Sequence, residues 1–376
     1  MLNTDIKDSN CSNCESSLRK IILNQEVFCP QCFCKFSPQI KELLPRTDFT
    51  TPNLALMNKA LKNENYELAE KLKFEQSIPE QEHPFLFIKI EFHRNLESQK
   101  FLNTENSKYH SKILKELKKT HQDLSTLDSA NPSLIYIDET EYIRILQKHH
   151  ISYGLISTDN NTKTIEDFRA KIYSKTVDTN FAFHEDFGFL GPNLLQLGHA
   201  FSIKAGIAVP HLYFDSQIPK ITKACSDLGF SFSPLQEDKH KPLIYTIENT
   251  SSTSSSLEGS ITNLIALGSE ITQAETQAQL SALQSSDITC YKHFSSSYWS
   301  LGSLPSIDKQ EFYHYLEDIF CAQTFHYLDT GFPEKITKQF HKELPSLLHT
   351  TPSSAIKETT KLPLDTFEEF LNNIRG

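Results

Sequence analysis

Four cysteines near the N-terminus constrain this chain more than any other feature. Cys11-Ser-Asn-Cys14 and Cys29-Pro-Gln-Cys32 are two C-x2-C knuckles separated by fourteen residues. Each knuckle turns two thiolates toward one point, and the gap is long enough to join the pairs as a tetrahedral set of sulfurs. Zinc is the ion such a set predicts, with Cys11, Cys14, Cys29 and Cys32 as its ligands. Four sulfurs leave no open position for water, so a structural role is expected rather than a catalytic one. A segment of about fifty residues cannot hold itself together by apolar burial alone. One zinc could contribute roughly 10–16 kcal/mol of apparent binding free energy to its folding. Cys34 stands too close to Cys32 for another knuckle, and is expected to be a buried free thiol or a surplus ligand.

Bulk composition narrows the function classes. At 376 residues, 38% hydrophobic and 11% aromatic, the chain predicts two or three folded units with a substantial core. A net charge of −10 argues against general binding of nucleic acid or of an anionic membrane. Met1–Asn10 is polar, which does not fit a signal peptide, and no stretch approaches the eighteen apolar residues of a membrane span. Cysteines crowded at one end, with Cys225, Cys290 and Cys321 scattered singly, suit a reducing compartment, cytoplasmic or nuclear.

The expected fold class is α+β: a small N-terminal zinc finger over 1–50, a helix and linker over 51–83, an α+β region over 84–250, and a mostly helical region over 251–376. Leu54, Met57, Leu61, Leu68 and Leu72 recur at helical spacing, and Ser77–Pro84 reads as linker. Phe85–Phe92 reads as a strand, apolar in its first half and alternating in its second. A helix follows over 107–127, then a strand over Ser133–Ile137 and an amphipathic helix through Tyr142, Ile143 and Leu146. His211–Asp215 as a strand, a helix through Ile218 and Cys225, and strands at Gly229–Ser233 and Leu243–Glu248 give β-α-β-β. A helix over Leu257–Ile271 extends this to the opening order of a ferredoxin-like split unit. Further helices are expected around Phe312–Phe320 and Leu364–Ile374.

Cys29-Pro-Gln-Cys32, then Leu43-Leu44-Pro45 and Pro52-Asn53-Leu54-Ala55-Leu56, resembles the C-terminal half of a RING finger, over residues 11–61. That resemblance implies protein–protein recognition through the finger and, at its sharpest, a ubiquitin ligase whose partner is a ubiquitin-conjugating enzyme. Two features depart from the family. No Cys or His precedes Cys11, so the four cysteines close on one ion where a RING holds two. Phe33 stands where active ligases often carry a basic side chain.

Two other function classes remain open on sequence: an enzyme with its active site within 84–376 and a purely structural finger, or a zinc ribbon that contacts nucleic acid or a transcription complex. His184, Glu185, Asp186, His199 and His211, with Asp215 and Cys225, could be drawn as a hydrolase or second metal site. Their spacing matches no motif with a stated mechanism, and packing or turn-capping roles explain them as well. Lys108, Lys112, Lys115 and Lys119 share a helix face, which reads as a solvated face opposite an apolar one. No Walker A loop, Gly-rich dinucleotide loop or G-x-S-x-G elbow is present.

Overall fold

The computed structural model describes residues 9–44, 78–102, 110–121, 124, 133–176, 179–252, 256–303, 308–327 and 333–349. The helix expected over 54–72, the far end of the RING-like stretch and the helix expected over 364–374 lie outside these residues. The chain divides into two compact units. The first comprises Met1–Glu82, Ile88–Lys204 and Asn249–Leu264; the second comprises His83–Phe87, Ala205–Glu248 and Ile265–Gly376. Together they give a mixed α+β fold with an N-terminal cysteine cluster and helices toward the C-terminus.

The first unit opens with α1 (Leu18–Asn24), whose N-cap Ser17 side chain accepts from the Lys20 amide. Next comes α2 (Pro30–Leu43), which starts on a proline and kinks at Phe36, before Pro38. The first long strand is β1 (Phe87–Arg94). It is followed by α3 (His110–Leu117), β2 (Ser133–Tyr136), β3 (Glu141–Ile145), β4 (Ile151–Ser157) and α4 (Lys163–Thr176). The small pair β5 (Phe183–His184) and β6 (Gly188–Phe189) leads to β7 (Phe201–Ala208).

Strands β2, β3, β4 and β1 lie side by side in that order, with antiparallel ladders, and the first half of β7 follows β1. Tyr142–Leu146 does not form the expected helix. Tyr142-Ile143-Arg144-Ile145 is rich in β-branched and aromatic residues and pairs on both sides, as β3. Asp138 turns the β2–β3 hairpin, its Oδ1 accepting from the Thr140 and Glu141 amides at 2.7 Å each. One face of the sheet is apolar, and Phe92 packs there against Phe168 and Tyr173 of α4. On α3, Ile113, Leu114 and Leu117 are buried while Lys112 and Lys115, and Lys119 in the turn after it, stay in solvent.

The second unit takes the second half of β7, then α5 (Pro210–Phe214), α6 (Ile218–Asp227), β8 (Phe230–Pro234) and β9 (Ile244–Asn249). In this part of the sheet β9 lies between β7 and β8. Helices α7 (Leu257–Ser285), α8 (Thr289–Ser303), α9 (Lys309–Thr324) and α10 (Pro333–His349) follow. From β7 the observed order is β-α-α-β-β-α, so the expected β-α-β-β-α with His211–Asp215 as its first strand is not the arrangement found. His211–Asp215 is helical instead, because Pro210 suits a first helical turn and Glu275 accepts from the His211 and Leu212 amides at 2.9 Å each. Glu317 of α9 is buried, and accepts from the Leu243 and Ile244 amides at 2.7 and 3.0 Å.

Gly154 in β4 has a specific task. It faces Glu91 of β1 on one side and Tyr142 of β3 on the other. A Cβ at this position would run into the Tyr142 ring. Without one, the ring crosses the strand and its hydroxyl donates to Glu91 at 2.7 Å. Gly154→Val should therefore destabilise the protein by about 1–3 kcal/mol, the usual range for overpacking. Urea denaturation measures this; an unchanged midpoint would show that the ring does not need the gap.

Candidate functional site

The alternating second half of β1 places Lys89, Glu91 and His93 on one face of the sheet, opposite the apolar side chains of Ile88, Ile90 and Phe92. All three polar side chains are buried. Arg144 Nη1 donates to Glu91 at 3.0 Å, and Lys89 Nζ lies 3.7 Å from the same oxygen. Burial alone would raise the Glu91 pKa. The neighbouring Lys89, His93 and Arg144, with the Tyr142 hydrogen bond, outweigh it and hold the carboxyl well below its ordinary range.

His93 lies beside this ion cluster. Its Nδ1 is 2.9 Å from Ser152 Oγ and its Nε2 is 3.2 Å from Ser202 Oγ. Its ring stacks on His149 at 4.4 Å between centroids. His149 Nδ1 accepts from Asn95 Nδ2 at 3.2 Å, which leaves its Nε2 to donate to Gln196 Oε1 at 3.3 Å. The neighbouring His150 accepts from the Leu96 amide through Nδ1 at 2.8 Å and donates to the Lys100 carbonyl through Nε2 at 2.9 Å. Burial pushes the pKa of His93 and His150 down to about 4, and that of His149 well down too.

The chain has six arginines, at 19, 46, 94, 144, 169 and 375. Arg94 lies buried with its guanidinium 3.6 Å above the Phe189 ring centroid, and Arg169 is ion-paired with Glu166 at 2.6 Å. Arg144 is thus the described arginine that borders the β1 polar face. Its Nη1 and the Lys89 ammonium both lie on Glu91, with the Ser152 and Ser202 hydroxyls beside them on His93.

The four knuckle cysteines converge. Their sulfurs all lie within 4.8 Å of one another, with Cys11–Cys29 at 3.6 Å, Cys14–Cys32 at 3.3 Å and Cys29–Cys32 at 3.6 Å. Four sulfurs bound tetrahedrally at zinc distance would stand about 3.8 Å apart, so the set has the right size for that ion. Hydrogen bonds from Cys29 and Cys32 hold Cys14 low, while Cys14 pushes Cys29 up to about 11 and Cys32 up as well. Cys34 is neither buried nor part of the set: it is exposed on α2.

The histidine-rich candidates do not come together. His184 lies by Asp186 in the first unit, where His199 is buried with its pKa lowered by burial to about 3. His211, Asp215 and Cys225 belong to the second unit, and His211 is committed to Glu275 at 2.6 Å and to the Tyr327 hydroxyl at 2.7 Å. Among the described residues, the cysteine cluster is the one group of His, Cys, Asp or Glu side chains placed to hold a metal ion.

Comparison with known proteins decides the family. Residues 54–278, more than half of the chain, match the model of the ATP:guanido phosphotransferase C-terminal catalytic domain. This chain belongs to that family. The matched span of the phosphotransferase domain contains the whole β1 polar face and leaves out the cysteine knuckles. No curated protein matches the chain. Among solved structures, lombricine kinase is similar at 11% identity and a TM-score of 0.51, over 73% of this chain and 88% of that one. The substrate-free duplicated taurocyamine kinase from Schistosoma mansoni is similar at 9% identity and a TM-score of 0.47, over 67% of this chain. The chain spans 40% of the length of that protein.

Membership of a phosphotransferase family overturns the reading of the chain as a RING-like, ubiquitin-related recognition protein, and with it the ubiquitin-conjugating enzyme as expected partner. The alternative of an enzyme with its site inside 84–376 agrees better with the match. The sequence did hold a signal for the polar face: charged residues at every second position of a strand whose first half is apolar. His149 and Arg144 had none, since their role depends on strand pairing. No helix among the described residues is long and apolar enough to cross a membrane.

The buried histidines give the fold a pH dependence. Each is neutral in the native state with a pKa below the unfolded value, so unfolding takes up protons below pH ~6.5. Their contribution is complete above that pH and falls toward pH ~4 by up to about 1.4 kcal/mol per unit for each histidine. Between pH 6.5 and 5.0 the stability from urea titrations should fall by about 2 kcal/mol or more. A pH-independent midpoint would contradict the neutral assignments.

Proposed function

We propose that this chain transfers the γ-phosphoryl group of ATP to the nitrogen of a guanidinium, using the polar face of β1 in the first unit. The family match over residues 54–278 carries this reading. In the reaction the bond from the γ-phosphorus to the bridging oxygen breaks, a nitrogen–phosphorus bond forms, and the guanidinium gives up a proton. Such transfers depend chiefly on positioning and on stabilising charge at the phosphoryl oxygens. Arg144 and Lys89 are the cations of this face, and Glu91 is its ionised acceptor for a guanidinium. Magnesium would enter on the phosphates of the nucleotide.

One observation favours a second reading, a family member that keeps the fold without the transfer. Lys89 and Arg144 both lie on Glu91, so the three ionised groups leave a single net positive charge, little to set against a triphosphate. The two readings separate in one assay. The purified chain is given labelled Mg-ATP with arginine, taurocyamine, lombricine or an arginine-containing peptide, and acid-labile phosphate is measured. The transfer reading expects turnover with one acceptor class, and Arg144→Lys, which keeps a cation beside Glu91, should lower kcat on the order of 100-fold. A folded wild-type protein without turnover on any acceptor would leave the second reading standing.

A further inference from the structure

We propose that Cys11, Cys14, Cys29 and Cys32 bind one zinc ion, and that this ion clamps the N-terminal module onto the 187–197 loop, whose Gln196 holds His149. The argument is independent of phosphoryl transfer.

The ligand residues and the docking residues are neighbours in sequence. Between Cys14 and Cys29, the Val27 amide donates to the Pro192 carbonyl at 2.8 Å, and the Phe28 carbonyl accepts from the Phe101 amide at 2.9 Å. Directly after Cys32, Phe33 is fully buried, with ring centroids 6.4 Å from Phe101 and 5.5 Å from Phe187. The module shares one hydrophobic cluster with Leu190, Leu194 and Leu197 of the loop. A metal that fixes Cys29 and Cys32 therefore fixes the segment that grips the loop on both sides of the second knuckle.

The two knuckles meet through their sulfurs, which all lie within 4.8 Å of one another, while the apolar side chains of α1 and α2 pack into the shared cluster. All-sulfur coordination selects a soft or borderline ion, and zinc satisfies it without redox chemistry. From the loop, the connection runs on through Gln196 to His149, which also receives Asn95, whose amide donates to the Leu190 carbonyl at 3.1 Å. Loss of the ion should thus loosen residues 187–197 while the rest of the sheet stays folded.

Metal analysis of the full chain, purified under reducing conditions, should return one zinc per protein. Chelation, read by hydrogen–deuterium exchange, should speed exchange in peptides covering 26–33 and 187–197 by tenfold or more, and added zinc should restore protection. Cys34→Ser should keep the ion and Cys14→Ser should lose it. Absence of zinc, iron in its place, a disulfide among the four cysteines, or metal loss with unchanged exchange at 187–197 would each overturn the proposal. Should Cys14→Ser fail to fold, the chelation measurement on the unaltered chain still decides.

Discussion

The first unit depends on one arrangement of charge: an ionised carboxylate, Glu91, buried in the middle of a sheet. Such a group is tolerated only when its desolvation is offset by close partners. Here the offset comes from three directions, with Arg144 and Tyr142 reaching from β3 and Lys89 from the same strand. Tyr142 can reach because β4, which separates it from Glu91, carries Gly154 at the crossing. Register, strand order and glycine placement are therefore parts of one solution. A one-residue slip of β1 would bury Ile88, Ile90 and Phe92 against the ion cluster and turn the charges toward the aromatic side chains of α4.

The second unit solves a similar problem with helices. Glu317 and Asp318 of α9 hold Lys239 at 3.2 and 2.6 Å, and Glu317 also takes two backbone amides at the start of β9. Glu275 of α7 does the same for the start of α5. In both units a buried carboxylate satisfies backbone or basic donors that would otherwise be left without a partner. Such devices contribute little net stability, but removing one partner leaves the other stranded. In the β1 cluster this makes Lys89, Arg144 and Tyr142 anchors of the sheet through Glu91.

The sequence disclosed the fold unevenly, for physical reasons. Covalent spacing made the cysteine set readable, because C-x2-C geometry is local. Amphipathic helices such as α3, α6 and α9 were readable from periodicity. Tyr142–Ile145 misled because a short apolar run fits helix and strand alike, and its strand identity comes from partners on both sides. His211–Asp215 misled because its helix is fixed by Glu275, 64 residues away. Cys34, expected as a buried thiol or a surplus ligand because it follows Cys32 too closely for another knuckle, is instead exposed on α2. The β1 polar face left only a faint local mark, since it is assembled from alternate residues of paired strands rather than from a contiguous loop.

The proposed transfer places the phosphates of a nucleotide at the polar face around Lys89, Glu91, His93 and Arg144. Hydrogen–deuterium exchange of the full chain with saturating Mg-ATP is the decisive measurement. Binding there should slow exchange in peptides covering 87–96 and 141–153 relative to the free protein. Nucleotide that binds while these peptides keep their free-state exchange, with protection confined to the second unit, would contradict it.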